Sequence, residues 1–152
     1  ISFQNFFLLQ SRYFHEPVFS YEIYTLFKFP KFEQLPIHEY EYLGGENYVK
    51  GYSSLPNDYP SKIIETSNIL YNNFQLQSTI FKRRDFGKIE FGIDGLLFIN
   101  SGIGSFSVSS FSVSNILIGY GFGLKFFITG GPPISVIFGF NSDGKNQIHL
   151  ID

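Results

Sequence analysis

Few residues in this chain combine the type and spacing that chemistry requires. The three histidines, His15, His38 and His149, are scattered, and none has a second ligand at the short spacing of a metal site. There is no GxSxG elbow and no Ser/His/Asp arrangement. Cysteine is absent, which removes thiolate nucleophiles, cysteine metal sites and disulfides together. Gly102 with Gly104, and Gly121 with Gly123, are glycine pairs without a following helix start, so they do not read as phosphate cradles. No catalytic residue, metal or cofactor is therefore expected, and the chain does not read as an enzyme. One stretch does carry a defined charge. Leu43-Gly44-Gly45-Glu46-Asn47-Tyr48-Val49-Lys50-Gly51-Tyr52 opens on paired glycines and holds a single cation, Lys50. Paired glycines permit backbone angles closed to other residues, so this is a loop of specified shape.

The elements that position this loop must come from the other residues. At 152 residues the chain is one domain or part of one. A net charge of −2 gives no electrostatic case for nucleic acid. Phe and Tyr number 20 and 10, an aromatic load beyond what a soluble core of this size needs. Membrane barrels place such residues in girdles at both interfaces. No apolar run approaches the roughly 20 residues of a spanning helix. The start lacks methionine and a basic, then apolar, leader, and reads as truncated or processed.

Alternation with a period of two marks the strands. Phe3, Phe7 and Leu9 share a parity in segment 1–13, imperfectly, since Phe6 and Leu8 break it. His15-Glu16-Pro17 reads as a short turn, because proline cannot continue a ladder. Over 18–29, Phe19, Tyr21, Ile23, Phe27 and Phe29 face away from Ser20, Glu22 and Lys28. Segment 30–60 is long, proline-bearing and polar, and a connection of that kind is usually functional. Over 69–81, Leu70, Phe74, Leu76 and Ile80 oppose Asn73, Gln75 and Gln77. Lys82 to Gly87 reads as a tight polar turn. Over 88–100, Ile89, Phe91, Ile93, Leu97 and Ile99 oppose Lys88, Glu90 and Asp94. A Ser/Gly-rich loop is expected over 101–115. Over 116–128 an apolar face from Ile116 to Ile128 opposes Gly119, Gly121, Gly123 and Lys125. Two shorter strands, 134–140 and 147–151, follow.

These segments make about seven strands, several near the length that crosses a bilayer when tilted. Short and long connections alternate, as in outer-membrane barrels, and the apolar face is nearly free of charge. An up-and-down barrel closed by antiparallel pairing needs an even strand number, so seven strands imply either one further strand not marked by alternation or part of a larger barrel. Lys82-Arg83-Arg84 reads as a solvated or headgroup-contacting rim.

The loop string resembles the LGG-x-x-x-VRGY segment of the outer-membrane assembly and surface-antigen barrels, the superfamily of the BamA-like insertases, TamA-like factors, two-partner secretion transporters and organelle import pores. The resemblance extends, in order, from the lead-in Leu35-Pro36-Ile37-His38-Glu39-Tyr40 through Phe91-Gly92-Ile93-Asp94-Gly95 and Gly119-Tyr120-Gly121-Phe122-Gly123-Leu124-Lys125-Phe126. It ends at Gly131-Pro132-Pro133-Ile134 with Phe138-Gly139-Phe140. It implies an all-β, antiparallel up-and-down transmembrane β-barrel. Residues 1–152 would be the C-terminal portion, about seven strands of about sixteen, with an inward-folding loop over 30–60.

It further implies an integral outer-membrane protein that inserts or translocates other proteins. Its partners would be membrane lipids, unfolded or secreted clients, and periplasmic or accessory assembly subunits. Leu43, Gly44, Gly45, Val49, Lys50, Gly51 and Tyr52 form the loop motif, and Asp94 and Gln75 would be the lumen partners of Lys50. Gly119, Gly121 and Gly123 would be the strand glycines against which the loop packs. Lysine in place of the family's arginine loses the planar fork, and glutamine in place of a second carboxylate loses a charge. Two other readings stand beside this one. The barrel could anchor a patatin-like surface lipase, or the chain could be a soluble β-sandwich binding module.

Overall fold

The computed structural model describes residues 1–11, 15–28, 40–45, 47–53 and 65–151. Among these the chain is all-β. The strands are β1 (Ser2–Leu8), β2 (His15–Leu26), β3 (Glu41–Tyr42), β4 (Glu65–Thr66), β5 (Asn68–Phe86), β6 (Ile89–Ser105), β7 (Leu117–Ile128), β8 (Ile134–Asn141) and β9 (Asn146–Ile151). Short 3-10 turns at Val108–Ser110 and Val113–Asn115 lie between β6 and β7.

Seven strands form one antiparallel sheet in the order β1-β2-β5-β6-β7-β8-β9, and β3 and β4 form a small separate ladder. Within this sheet each strand pairs antiparallel with the one before it, across the two-residue turn at Gly87–Lys88 and across the long connection from β2 to β5 alike. The period-two pattern therefore assigns every side chain to one of two faces. On β6, Leu96, Phe98 and Asn100 are buried, whereas Leu97 and Ile99 are 54% and 51% exposed. Register carries the assignment across the sheet, pairing Asn73 with Asn100, Asn100 with Gly119, and Gly119 with Asn141. That inward row is polar or side-chain-free. The outward face is largely aromatic and aliphatic, with Asn72 opposite Ser101 among its few polar positions. In it Tyr21 stacks on Phe74 at 4.5 Å, and Phe122 stacks on Phe138 at 5.3 Å.

Three expectations about boundaries are corrected. Lys82 to Gly87 is not a turn: β5 continues to Phe86, and Gly87–Lys88 alone make the connection. Irregular register between Thr79 and Phe81, and again between Phe81 and Arg84, lets the polar run stay in the ladder. The expected loop over 101–115 begins late, because β6 runs on to Ser105 opposite Asn68. His15-Glu16-Pro17 opens β2 through a bulge instead of forming a turn, with Glu16 at φ 50°. Phe6 and Leu8, the residues that broke the alternation, stand in register with the inward Ser20 and Val18.

Of the expected 30–60 loop, residues 40–45 and 47–53 are described, and the remainder, with His38 and most of the lead-in, lies outside the described residues. The segment is not structureless throughout, since Glu41 and Tyr42 pair with Thr66 and Glu65.

Candidate functional site

The 43–52 loop lies on the inward face near the β6–β7 loop end of the sheet. It closes on itself first. The Val49 amide donates to the Leu43 carbonyl at 2.9 Å, and the Gly45 amide to the Tyr52 carbonyl at 2.8 Å. Gly45 and Gly51 have φ of 97° and 96°. L-residues disfavour these angles, so both glycines are required by the shape. This closure turns Leu43, Val49 and Tyr52 to one side, and all three are fully buried. They pack with Ile69, Tyr71 and Leu117, and Tyr24, Leu26 and Tyr48 flank the cluster. Burying each apolar side chain contributes about 1.5–3 kcal/mol, so the seat is chiefly hydrophobic.

Glycines in the wall admit the loop. A Cβ at Gly119 would collide with the Lys50 carbonyl oxygen, and one at Gly139 would stand 2.6 Å from the Gly51 nitrogen. A Cβ at Gly102 would stand 2.7 Å from Val49 Cγ2 and 2.8 Å from Leu43 Cδ1. Gly102 on β6, Gly119 on β7 and Gly139 on β8 together form the floor. Of the three glycines expected to meet the loop, Gly119 does so. Gly121 and Gly123 make room for wall residues instead. A Cβ at Gly121 would stand 2.8 Å from Phe98 Cζ, and one at Gly123 would stand 3.1 Å from Ile137 Cγ1.

Polar side chains of the wall then bind the loop backbone. Asn141 Nδ2 donates to the Gly51 carbonyl at 2.7 Å, and the Gly51 amide donates to His149 Nε2 at 3.4 Å. Asn100 Nδ2 donates to the Tyr48 carbonyl at 3.4 Å, and the Tyr52 hydroxyl shares a hydrogen with Ser142 Oγ at 2.9 Å. The Tyr48 ring lies 5.5 Å from that of Tyr24 and 5.6 Å from that of Tyr71. Burial first, then the Tyr24 hydroxyl and the Glu41 charge, raises the Tyr48 phenol above its ordinary value, and burial also raises Tyr52. Both phenols are therefore seated neutral. A raised pKa means that their contribution to docking is complete below the ordinary phenol range and declines as pH rises above about 10.

The expected charge pairing is not where the structure places these residues. Lys50 Nζ lies 5.6 Å from the centroid of the buried Phe98 ring. Asp94 is four residues further along β6, about 13 Å at the rise of a strand. Its carboxylate accepts from Gln77 Nε2 at 2.7 Å, and it stands in register with Lys125. Among the described residues no ion pair joins Lys50 to Asp94; the ion pair seen is Lys28 with Glu41, at 3.6 Å. Gln75 stands in register with Phe98, on the inward row beneath Lys50. A cation over an aromatic face contributes about 0.5–2 kcal/mol, less than the apolar seat. In a double-mutant cycle, Lys50→Ala and Asp94→Ala should thus add to within about 0.5 kcal/mol in thermal or denaturant unfolding. Coupling well above that would restore the direct pair.

Toward the tight-turn end the inward face opens into a cavity of about 710 Å³ whose lining includes Val18, Gln77, Lys82, Arg83, Glu90 and Asp94. Arg83 lies 4.2 Å from the Phe127 ring centroid. Among the described residues no group of three His, Asp or Glu stands together to hold a metal. Compared with known proteins, the chain matches no family model, no curated protein and no solved structure.

Proposed function

We propose that this chain forms part of an outer-membrane β-barrel of the assembly and translocation superfamily, with its seven-stranded sheet completed by further strands. In this reading the inward face lines the lumen, the aromatic outward face meets lipid, and the two-residue turn at Gly87–Lys88 faces the periplasm. The function is non-enzymatic insertion or translocation of other β-rich proteins, and the seated loop is the working part.

One observation carries the reading. A loop with the LGG and VKGY signature lies on the inward face over glycines of three adjacent strands, with its apolar residues fully buried. A surface turn has no reason to be matched by missing side chains on three strands. The outward face adds support. Phe122 and Tyr120 on β7 are each 49% exposed, yet the outward positions of β7 carry no charge. A charge there would cost about 2–4 kcal/mol at a bilayer midplane. A soluble sandwich would cover such a face with a second sheet, and among the described residues the other sheet is the two-stranded β3–β4 ladder.

The test uses the full-length protein in its own cells. It should resist carbonate extraction and migrate faster on gels when unheated, and its depletion should reduce assembled outer-membrane β-barrels or secreted clients. Monomeric solubility in plain buffer would sink the membrane reading. Normal client levels after depletion would sink the assembly role and leave a membrane anchor.

A further inference from the structure

The outward belt has a gap on β6. Gly95 on β6 faces outward in register with Ser78 and Leu124, where neighbouring positions carry branched or aromatic side chains. The gap opens into a groove of about 580 Å³, walled by Leu76, Ile80, Leu97, Phe122 and Leu124. Ile80 leans across it, since a Cβ on Gly95 would stand 2.7 Å from Ile80 Cδ1. The hydroxyl of Ser78, on the wall, is committed to the His15 carbonyl at 3.0 Å. A groove so lined suits hydrocarbon.

Toward the Gly87–Lys88 turn the outward face continues over Phe81 and Phe91 to Arg84. The Arg84 guanidinium carbon lies 5.7 Å from the Phe81 ring centroid. Register sets Arg84 opposite Phe91 on the outward side, whereas Asp85 and Glu90 pair on the other face. The hairpin thus turns its carboxylates inward and leaves a cation outward. From Gly95 to Phe91 is four residues of strand, about 13 Å, so the cation and the groove are within the span of one lipid molecule.

We propose that this groove and Arg84 form a site for one anionic phospholipid, with an acyl chain lying over Gly95 and the headgroup phosphate at the guanidinium. The site rests on the membrane reading above. Charge complementarity selects the occupant. A purely hydrocarbon contact would have no use for an outward arginine aligned with the groove, and arginine binds phosphate through a fork of donors.

The experiment takes advantage of the absence of cysteine from these 152 residues. In the full-length protein, a single reporter cysteine is placed at Val136, which is in register with Leu124 beside the groove. A second reporter is placed at Ile23 on the distant β2. Each is labelled with a fluorophore in phosphatidylcholine vesicles containing a small fraction of nitroxide-labelled phosphatidylglycerol or nitroxide-labelled phosphatidylcholine. At Val136 the anionic lipid should quench with about fivefold higher apparent affinity; at Ile23 the two lipids should quench alike. Arg84→Gln should abolish the preference at Val136, and Gly95→Leu should reduce quenching there by both lipids. Equal quenching by the two lipids at Val136 in the unsubstituted protein overturns the site and leaves the membrane reading intact. No quenching by either lipid at either position overturns both.

Discussion

Replacing Gly119 by valine should eject the 43–52 loop from its seat. The new side chain would occupy the place of the Lys50 carbonyl oxygen and crowd Asn100 Oδ1, 2.6 Å from the added Cβ. Neither neighbour can yield easily. The carbonyl belongs to a loop whose shape is set by Gly45 and Gly51, and Asn100 is held in a central strand. Overpacking a filled site costs about 1–3 kcal/mol, and backbone is less forgiving than side chain, so the upper end is expected. The direct readout is hydrogen exchange at the Gly45 and Val49 amides, both of which bond within the seated loop. Limited proteolysis of the loop gives a second readout. Gly131→Ala is the control, because a Cβ at Gly131 meets nothing closer than 4.0 Å. If Gly119→Val leaves loop protection unchanged, the loop does not occupy this seat in solution.

The second large effect is expected at Tyr52. Its side chain is fully buried and its hydroxyl reaches Ser142 Oγ at 2.9 Å. Tyr52→Ala removes an aromatic ring from a filled cluster, a change that costs about 3–5 kcal/mol. Tyr52→Phe keeps the ring and loses the hydroxyl, whose hydrogen bond to Ser142 is worth about 0.5–1.5 kcal/mol. Both variants should lower the denaturant concentration at which the loop becomes protease-sensitive, in that ratio. If burial seats the loop, Lys50→Ala should have a smaller effect than Tyr52→Ala. A larger loss at Lys50 than at Tyr52 would mean that charge, not burial, seats the loop.

The fold was legible in the sequence wherever alternation was clean. Phe19 to Phe27, Leu70 to Ile80 and Ile116 to Ile128 announced their faces because a half-buried strand cannot hide its period. Boundaries failed where two irregularities absorbed the Lys82–Phe86 run into β5, since a bulge leaves no mark in composition. The loop itself was legible, because Gly44, Gly45 and Gly51 with Lys50 are unusual side by side. Its contacts were only partly so. Gly119 sat in a visible run of alternating glycines, but nothing local distinguished it from Gly121 and Gly123. What separates them is register against the loop, a tertiary property. Gly139 could have been found as a lone glycine inside a strand, which marks close backbone approach, whereas Gly102 was hidden in a pair with Gly104 that read as loop. Asn100, Asn141 and His149 bind backbone carbonyls and an amide, and such partners have no sequence signature at all.

One of those contacts links two parts of the molecule that are far apart in sequence. Gly51 is gripped by Asn141, at the end of β8, and by His149, in the last strand of the sheet. β9 is a short edge strand, with Ile148 and Leu150 66% and 69% exposed, and its other edge is unpaired among the described residues. Whatever free energy an attached β9 lends to the loop, a seated loop returns in equal measure to β9. Peeling that strand from Ser135–Phe140 must therefore loosen the loop, and pulling the loop out must weaken the strand. A segment of the β2–β5 connection thereby becomes a handle on the sheet's far margin, with the reciprocity set by thermodynamics.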